Sequence, residues 1–136
     1  MNTKFRNERR SGVAVVEVAI TAPVAFLLVI GLIVGGLGTF RYQQVAHLAR
    51  EGATYAALHS PYYEIRTGLP RATSDSLKTN AILPLAAGLD SSALNCTLTF
   101  DTSANTATVQ LTYNWLPEGL LPPVSLSSTS VMFLEQ

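Results

Sequence analysis

The chain has 136 residues, nine basic and nine acidic side chains, and 48% apolar residues. That length leaves room for at most one domain beside a membrane segment, and with no basic patch outside the first dozen residues it excludes a nucleic-acid partner. A lone cysteine, Cys96, excludes an intrachain disulfide and any CxxC or Cys/His metal spacing.

Charge is unevenly placed. Residues 1–12 carry Lys4, Arg6, Arg9 and Arg10 against Glu8, a net of +3, and the rest of the chain carries −3. The 23 positions from 18 to 40 hold no charge. At about 1.5 Å per helical residue this run reaches roughly 35 Å, enough to cross a hydrocarbon core of about 30 Å. A basic amino end before such a run follows the positive-inside pattern and puts the first dozen residues in the cytoplasm. Three readings fit residues 1–40. A secretory signal peptide would have a shorter apolar core, of about 7–15 residues. A plain signal anchor explains length and charge but does not call for Glu17. A cut after Gly12 would leave the apolar helix on the mature protein, with Val13 as its first residue and Glu17 as its fifth.

Glu17 separates these readings. An ionisable side chain within a membrane segment is costly, less so near an end, and is by default functional. Cleavage before Val13 would create an α-amino group with an unperturbed pKa of about 8. A neighbouring subunit's amino end could pair with Glu17 in a low-dielectric bundle and set the register between subunits. The alternative is a carboxylate that reaches the headgroups from the first turns.

Further along, Pro23 removes one amide donor and predicts a kink over residues 19–23. Gly31 and Gly35, with Thr39, form a small-residue stripe that allows close helix packing. Arg41 and Tyr42 end the apolar run as an interfacial pair. Tyr42, Val45, Ala49, Gly52 and Ala56 recur at three- and four-residue steps, so the helix continues amphipathically to Leu58, before Ser60-Pro61. From Val13 it would span on the order of 70 Å. His47 and Glu51 have i,i+4 spacing but no third ligand, and read as a solvated face; Arg50 and Glu51 read as surface charges or subunit contacts.

Residues 60–73 read as a loop, in which His59 packs beside Tyr62 and Tyr63. Thr73 or Ser74 caps a short helix through Asp75, Leu77 and Ile82, with Gly88 near its end, bent or shortened by Pro84. Leu94, Cys96, Leu98 and Phe100 alternate with Asn95, Thr97 and Thr99, and Ala107, Val109, Leu111 and Tyr113 with Thr106, Thr108, Gln110 and Thr112. A hairpin follows from the two runs and the polar turn between them. Residues 115–123 read as a connection and 126–134 as a third strand. The cover for the apolar sheet face is the small-residue face of residues 45–56. Cys96 reads as a small apolar residue. No phosphate loop, nucleophile–base pair or acid cluster is present, so no cofactor, metal site or catalytic residue is assigned.

Gly12 with Glu17 five residues on, then Pro23, Gly31, Gly36 and the run Ala49-Arg50-Glu51-Gly52-Ala53, resembles the TadE-like family of minor pilins or pseudopilins in tight-adherence (Tad/Flp) pilus systems. The resemblance covers residues 9–57. It implies cutting by a prepilin peptidase, an inner-membrane intermediate, and partnership with other pilin subunits and the assembly platform of an adhesive pilus. One departure is Val34, in a segment where many relatives carry an acidic residue. The expected protein is α+β: a 1–12 leader, a 13–58 membrane and spine helix, and a 59–136 periplasmic pilin-like head with a short helix and a three-stranded antiparallel sheet. Its expected function is a minor pilin processed after Gly12 and held in the inner membrane as a single pass before or while joining an extracellular pilus. The alternative is an uncleaved, single-pass, membrane-anchored periplasmic binding or scaffold protein. A membrane-tethered enzyme lacks any catalytic constellation.

Overall fold

A computed structural model describes residues 4–117 and 122–134, with side chains from residue 12 onward. The basic side chains Lys4, Arg6, Arg9 and Arg10 lie outside the described side chains. The fold is α+β. Helix α1 runs Lys4–Leu58, α2 Pro61–Thr67 and α3 Ser74–Leu77, followed by a π-helical turn at Lys78–Ile82 and a 3-10 turn at Ser91–Ala93. Strands β1 (Leu94–Asp101), β2 (Thr106–Trp115) and β3 (Val124–Phe133) form an antiparallel sheet in the order β1-β2-β3. The chain divides into two compact units, Met1–Leu37 and Gly38–Gln136.

In the first unit α1 begins at Lys4, because residues 4–11 include Lys4, three arginines and Glu8 and contain no helix breaker. The helix continues through Pro23. Just before that proline the Thr21 hydroxyl donates to the Glu17 carbonyl at 2.9 Å. The large apolar side chains from Val13 to Ile33 are exposed. Among the described residues nothing takes them out of water, which is the pattern of a helix whose partner is not its own fold.

In the second unit the sheet covers one face of α1. Val45, Leu48, Ala49, Ala53 and Ala56 of the helix are buried, together with Leu77, Ile82, Leu94, Val109 and Leu111. Each large aliphatic side chain so buried contributes about 1.5–3 kcal/mol relative to exposure. The helix–sheet approach is closest at Gly52, where an added Cβ would lie 3.3 Å from Val109 Cγ1 and 3.7 Å from both Leu77 Cδ2 and Ile82 Cδ1. Tyr42, expected on this packing face, is exposed instead, because the buried stripe starts one turn later at Val45.

The sheet register follows the alternation. On β2 the buried residues are Ala107, Val109, Leu111, Tyr113 and Trp115, and their pairs across β1 are Phe100, Leu98, Cys96 and Leu94 for the first four. Trp115, expected to open the connection, is the last residue of β2, pairing with Val124. Its ring lies against Gly38, where an added Cβ would be 3.0 Å from Cζ3. The outer edge of β1 is occupied: the Leu98 amide donates to Ser74 Oγ at 3.1 Å, and Lys78 Nζ donates to the Leu94 carbonyl at 2.7 Å.

Residues 61–67, expected to be loop, form helix α2. Ser60 caps its start by accepting from the Tyr63 amide, Pro61 occupies the first turn, and Gly68 closes it with φ 72° while its amide donates to the Glu64 carbonyl. Proline and glycine here mark the two ends of a short helix and not a loop. His59 stacks on Tyr55 with 4.2 Å between ring centroids and meets Tyr63 at 5.1 Å, so its aromatic partners are Tyr55 and Tyr63. α3 is capped as expected by Thr73, in a reciprocal pair with Ser76. The turn beyond it tightens no further: Leu83 donates to Lys78, giving one π turn before Pro84.

The β1–β2 turn is tied by Asp101. Its Oδ1 accepts from the Ser103 and Ala104 amides at 2.9 and 3.0 Å and from the Ser103 hydroxyl. Those bonds, first the Ser103 hydroxyl and then the two amides, hold the carboxyl below its ordinary value of 3.8. A lowered folded value means a stabilising contribution that is complete above pH 3.8 and is lost as pH falls through the folded value. Asp101→Ala is therefore expected to speed hydrogen exchange of the Ser103 and Ala104 amides at neutral pH. Acidifying the unchanged protein below the carboxylate range is expected to lower the protection of the same amides relative to their intrinsic exchange rate at that pH, and NMR reads both.

Candidate functional site

The residues singled out from the sequence fall in two groups, one in each unit. In the first, Gly12, Val13, Val16 and Glu17 line one shallow surface. Val13 and Glu17 stand four residues apart in a continuous helix, so they share a face. Both are exposed, as is Gly12. An added Cβ at Gly12, Gly31 or Gly35 meets nothing within 4 Å, so a second helix could approach that surface closely. Val34 is half-buried.

In the second unit the run Ala49-Arg50-Glu51-Gly52-Ala53 divides by face. Ala49, Gly52 and Ala53 are buried beneath the sheet, while Arg50 and Glu51 are exposed. The reason is helical geometry. Positions 49, 52 and 53 lie on the stripe that meets Val109, and 50 and 51 point the other way. Three residues of the motif therefore set how closely the sheet can pack, and two offer opposite charges to the outside. The Thr54 hydroxyl donates back to the Arg50 carbonyl at 3.1 Å. His47 shares the exposed side with Glu51, and among the described residues no group of three His, Cys, Asp or Glu side chains gathers to hold a metal ion.

Two further residues do work that the sequence did not announce. Arg41 Nη1 donates to the Gly88 carbonyl at 2.6 Å and to Gln44 Oε1 at 3.3 Å, and Gln44 Nε2 donates to the Ala87 carbonyl at 3.4 Å. The residue that ends the charge-free run thus clasps the loop after Pro84. No local pattern signals a contact between positions so far apart. Cys96 sits half-buried on the sheet face that packs against α1. Burial pushes its thiol up to about 11, against a smaller opposing pull from the Lys78 ammonium. Its contribution to stability is intact below pH 9.0 and is lost as pH rises through about 11. Iodoacetamide is expected to alkylate Cys96 about tenfold more slowly in the folded protein than in urea at neutral pH, followed by intact mass.

The exposed apolar helix is a candidate membrane anchor by its length and composition, and it leads into a small α+β unit. Residues 12–54 match the family described as TadE-like protein, a pilus-associated structural family. The matched stretch begins at Gly12 and takes in Glu17, both glycines of the stripe and the whole of Ala49–Ala53. No curated protein and no solved structure matches the chain.

Proposed function

We propose that the chain is a minor pilin or pseudopilin of a Tad/Flp-type pilus, cut after Gly12 and held in the inner membrane before or while it joins the filament. The observation that carries this reading is the family match, which starts at Gly12 and includes Glu17. The basic residues before Gly12 keep the amino end cytoplasmic and send the Gly38–Gln136 unit to the periplasm. A prepilin peptidase cuts before Val13. The new amino group of one subunit then meets Glu17 of its neighbour, and Gly31 and Gly35 allow their helices to approach. Arg50 and Glu51, exposed on the same helix, contact other pilin subunits or the assembly platform.

Amino-terminal sequencing and intact mass of protein extracted from membranes test the processing step. The expected mature start is Val13, lost when Gly12 is changed to a bulky residue such as leucine. A persistent Met1 start in cells with active peptidase would instead support an uncleaved, single-pass scaffold.

A further inference from the structure

The two edges of the sheet differ. On β1 the Leu98 amide and the Leu94 carbonyl are held by Ser74 and Lys78. On β3, among the described residues, no hydrogen bond reaches the edge that faces away from β2. Native sheets ordinarily blunt such an edge with a lysine, a proline, a bulge or a very short strand. β3 uses none of these. It pairs with β2 without interruption over ten residues, and Val124–Phe133 holds no charge and no proline. At about 3.3 Å per residue the open edge is roughly 33 Å long.

The helix-facing side of β3 is open as well. Val109 and Leu111 of β2 are fully buried, but their β3 neighbours Ser130 and Ser128 are only half-buried, and Met132 on the same side is 38% exposed. A strand added here would cover both the backbone groups and these side chains. The sequence of β3 also matches itself when run antiparallel. With Thr129 opposite its own copy, Leu126 meets Met132 and Ser128 meets Ser130 on the helix side, while Ser127 meets Val131 on the other. Apolar residues meet apolar ones, serines meet serines, and no like charges are opposed.

We propose that β3 is a self-association edge, at which a second copy of this chain adds its own β3 antiparallel about a two-fold axis at Thr129. Two three-stranded sheets thereby become one of six strands. The occupant is a second copy because the neutral edge selects no charged partner and its own sequence supplies the matching side chains. The pairing involves the Gly38–Gln136 unit alone and holds with or without a cut after Gly12.

Cross-linking of the full chain in detergent micelles tests this, with Cys96→Ala as background. Single cysteines replace Thr129 or Thr99, an exposed residue of β1. A short bismaleimide is added, and dimer is read on a denaturing gel. Dimer yield is expected to be at least about tenfold higher for Thr129→Cys than for Thr99→Cys, since only residue 129 stands directly opposite its own copy. Co-expressed Ser127→Cys and Val131→Cys chains should cross-link to each other more than either does to itself. Trp115 fluorescence matching the parent shows that each variant is folded. Equal yields at 129 and 99 in folded protein would overturn the edge, and so would a Thr129→Cys product whose mass is not that of two copies. A mixture of 127 and 131 that links no better than the single variants would overturn the two-fold pairing at Thr129.

Discussion

Gly52→Leu is expected to destabilise the Gly38–Gln136 unit by about 3 kcal/mol or more, whereas Gly52→Ala is expected to change its stability by about 1 kcal/mol or less. The difference comes from the space beside the helix. Alanine improves helix propensity by about 1 kcal/mol over glycine, but its methyl would press on Val109 Cγ1 at 3.3 Å, so the two effects largely cancel. Leucine adds three more carbons where Val109, Leu77 and Ile82 already fill the volume, all of them buried. A core closed on three sides can accept that side chain only by moving the helix off the sheet. Small domains have only about 5–15 kcal/mol of stability in total, so the loss is a large part of it. Urea unfolding in detergent micelles, followed by the fluorescence of the single tryptophan Trp115, measures both variants. Adding Val109→Ala to Gly52→Leu should recover part of the loss. A Gly52→Leu protein as stable as the parent would contradict the close helix–sheet approach.

Glu17→Ala carries the largest expected effect on assembly. Under the proposed function, the processed subunit should accumulate in the membrane at normal mass while pili are absent. Removing one partner of a buried ion pair costs about 3–5 kcal/mol, and at tenfold per 1.4 kcal/mol this weakens subunit addition at least about a hundredfold. Glu17→Gln separates charge from hydrogen bonding. It should fail as alanine does, because a neutral amide cannot balance the neighbour's ammonium. Electron microscopy of shed filaments, with immunoblots of membrane fractions, reads both variants. Normal piliation in Glu17→Gln would remove the ionic pairing from the mechanism.

The features legible in the sequence were those with a short period. Alternation at 94–100 and 107–113 gave the hairpin and its buried face, and the three- and four-residue steps after Val45 gave the helix surface beneath it. Gly52 was visible as one small residue on that surface, but its partner Val109 was not, because pairing of distant elements leaves no local trace. The Arg41–Gly88 clasp was hidden for the same reason. Helix α2 is not legible because Pro61 and Gly68 read as breakers, although their spacing suits the first turn and the closing cap of a seven-residue helix. Trp115 was assigned to the connection because Leu116-Pro117 follows it, although its own side chain keeps the buried parity of β2. At the amino end the charge pattern pointed to the candidate anchor. The use proposed for Glu17 depends on a neighbour's atoms, and those are not in this chain.

The occupied edge of β1 sets a limit on association. A sheet polymerises edge to edge only if each unit offers two open strands, just as a condensation polymer needs bifunctional monomers. Here Ser74 and Lys78 each hold one backbone group on the outer edge of β1, the Leu98 amide and the Leu94 carbonyl, so a further strand is received more readily on β3. Pairing through β3 gives two copies and not an open-ended ribbon. Under the proposed function, the contacts that build a filament then fall chiefly to the helix.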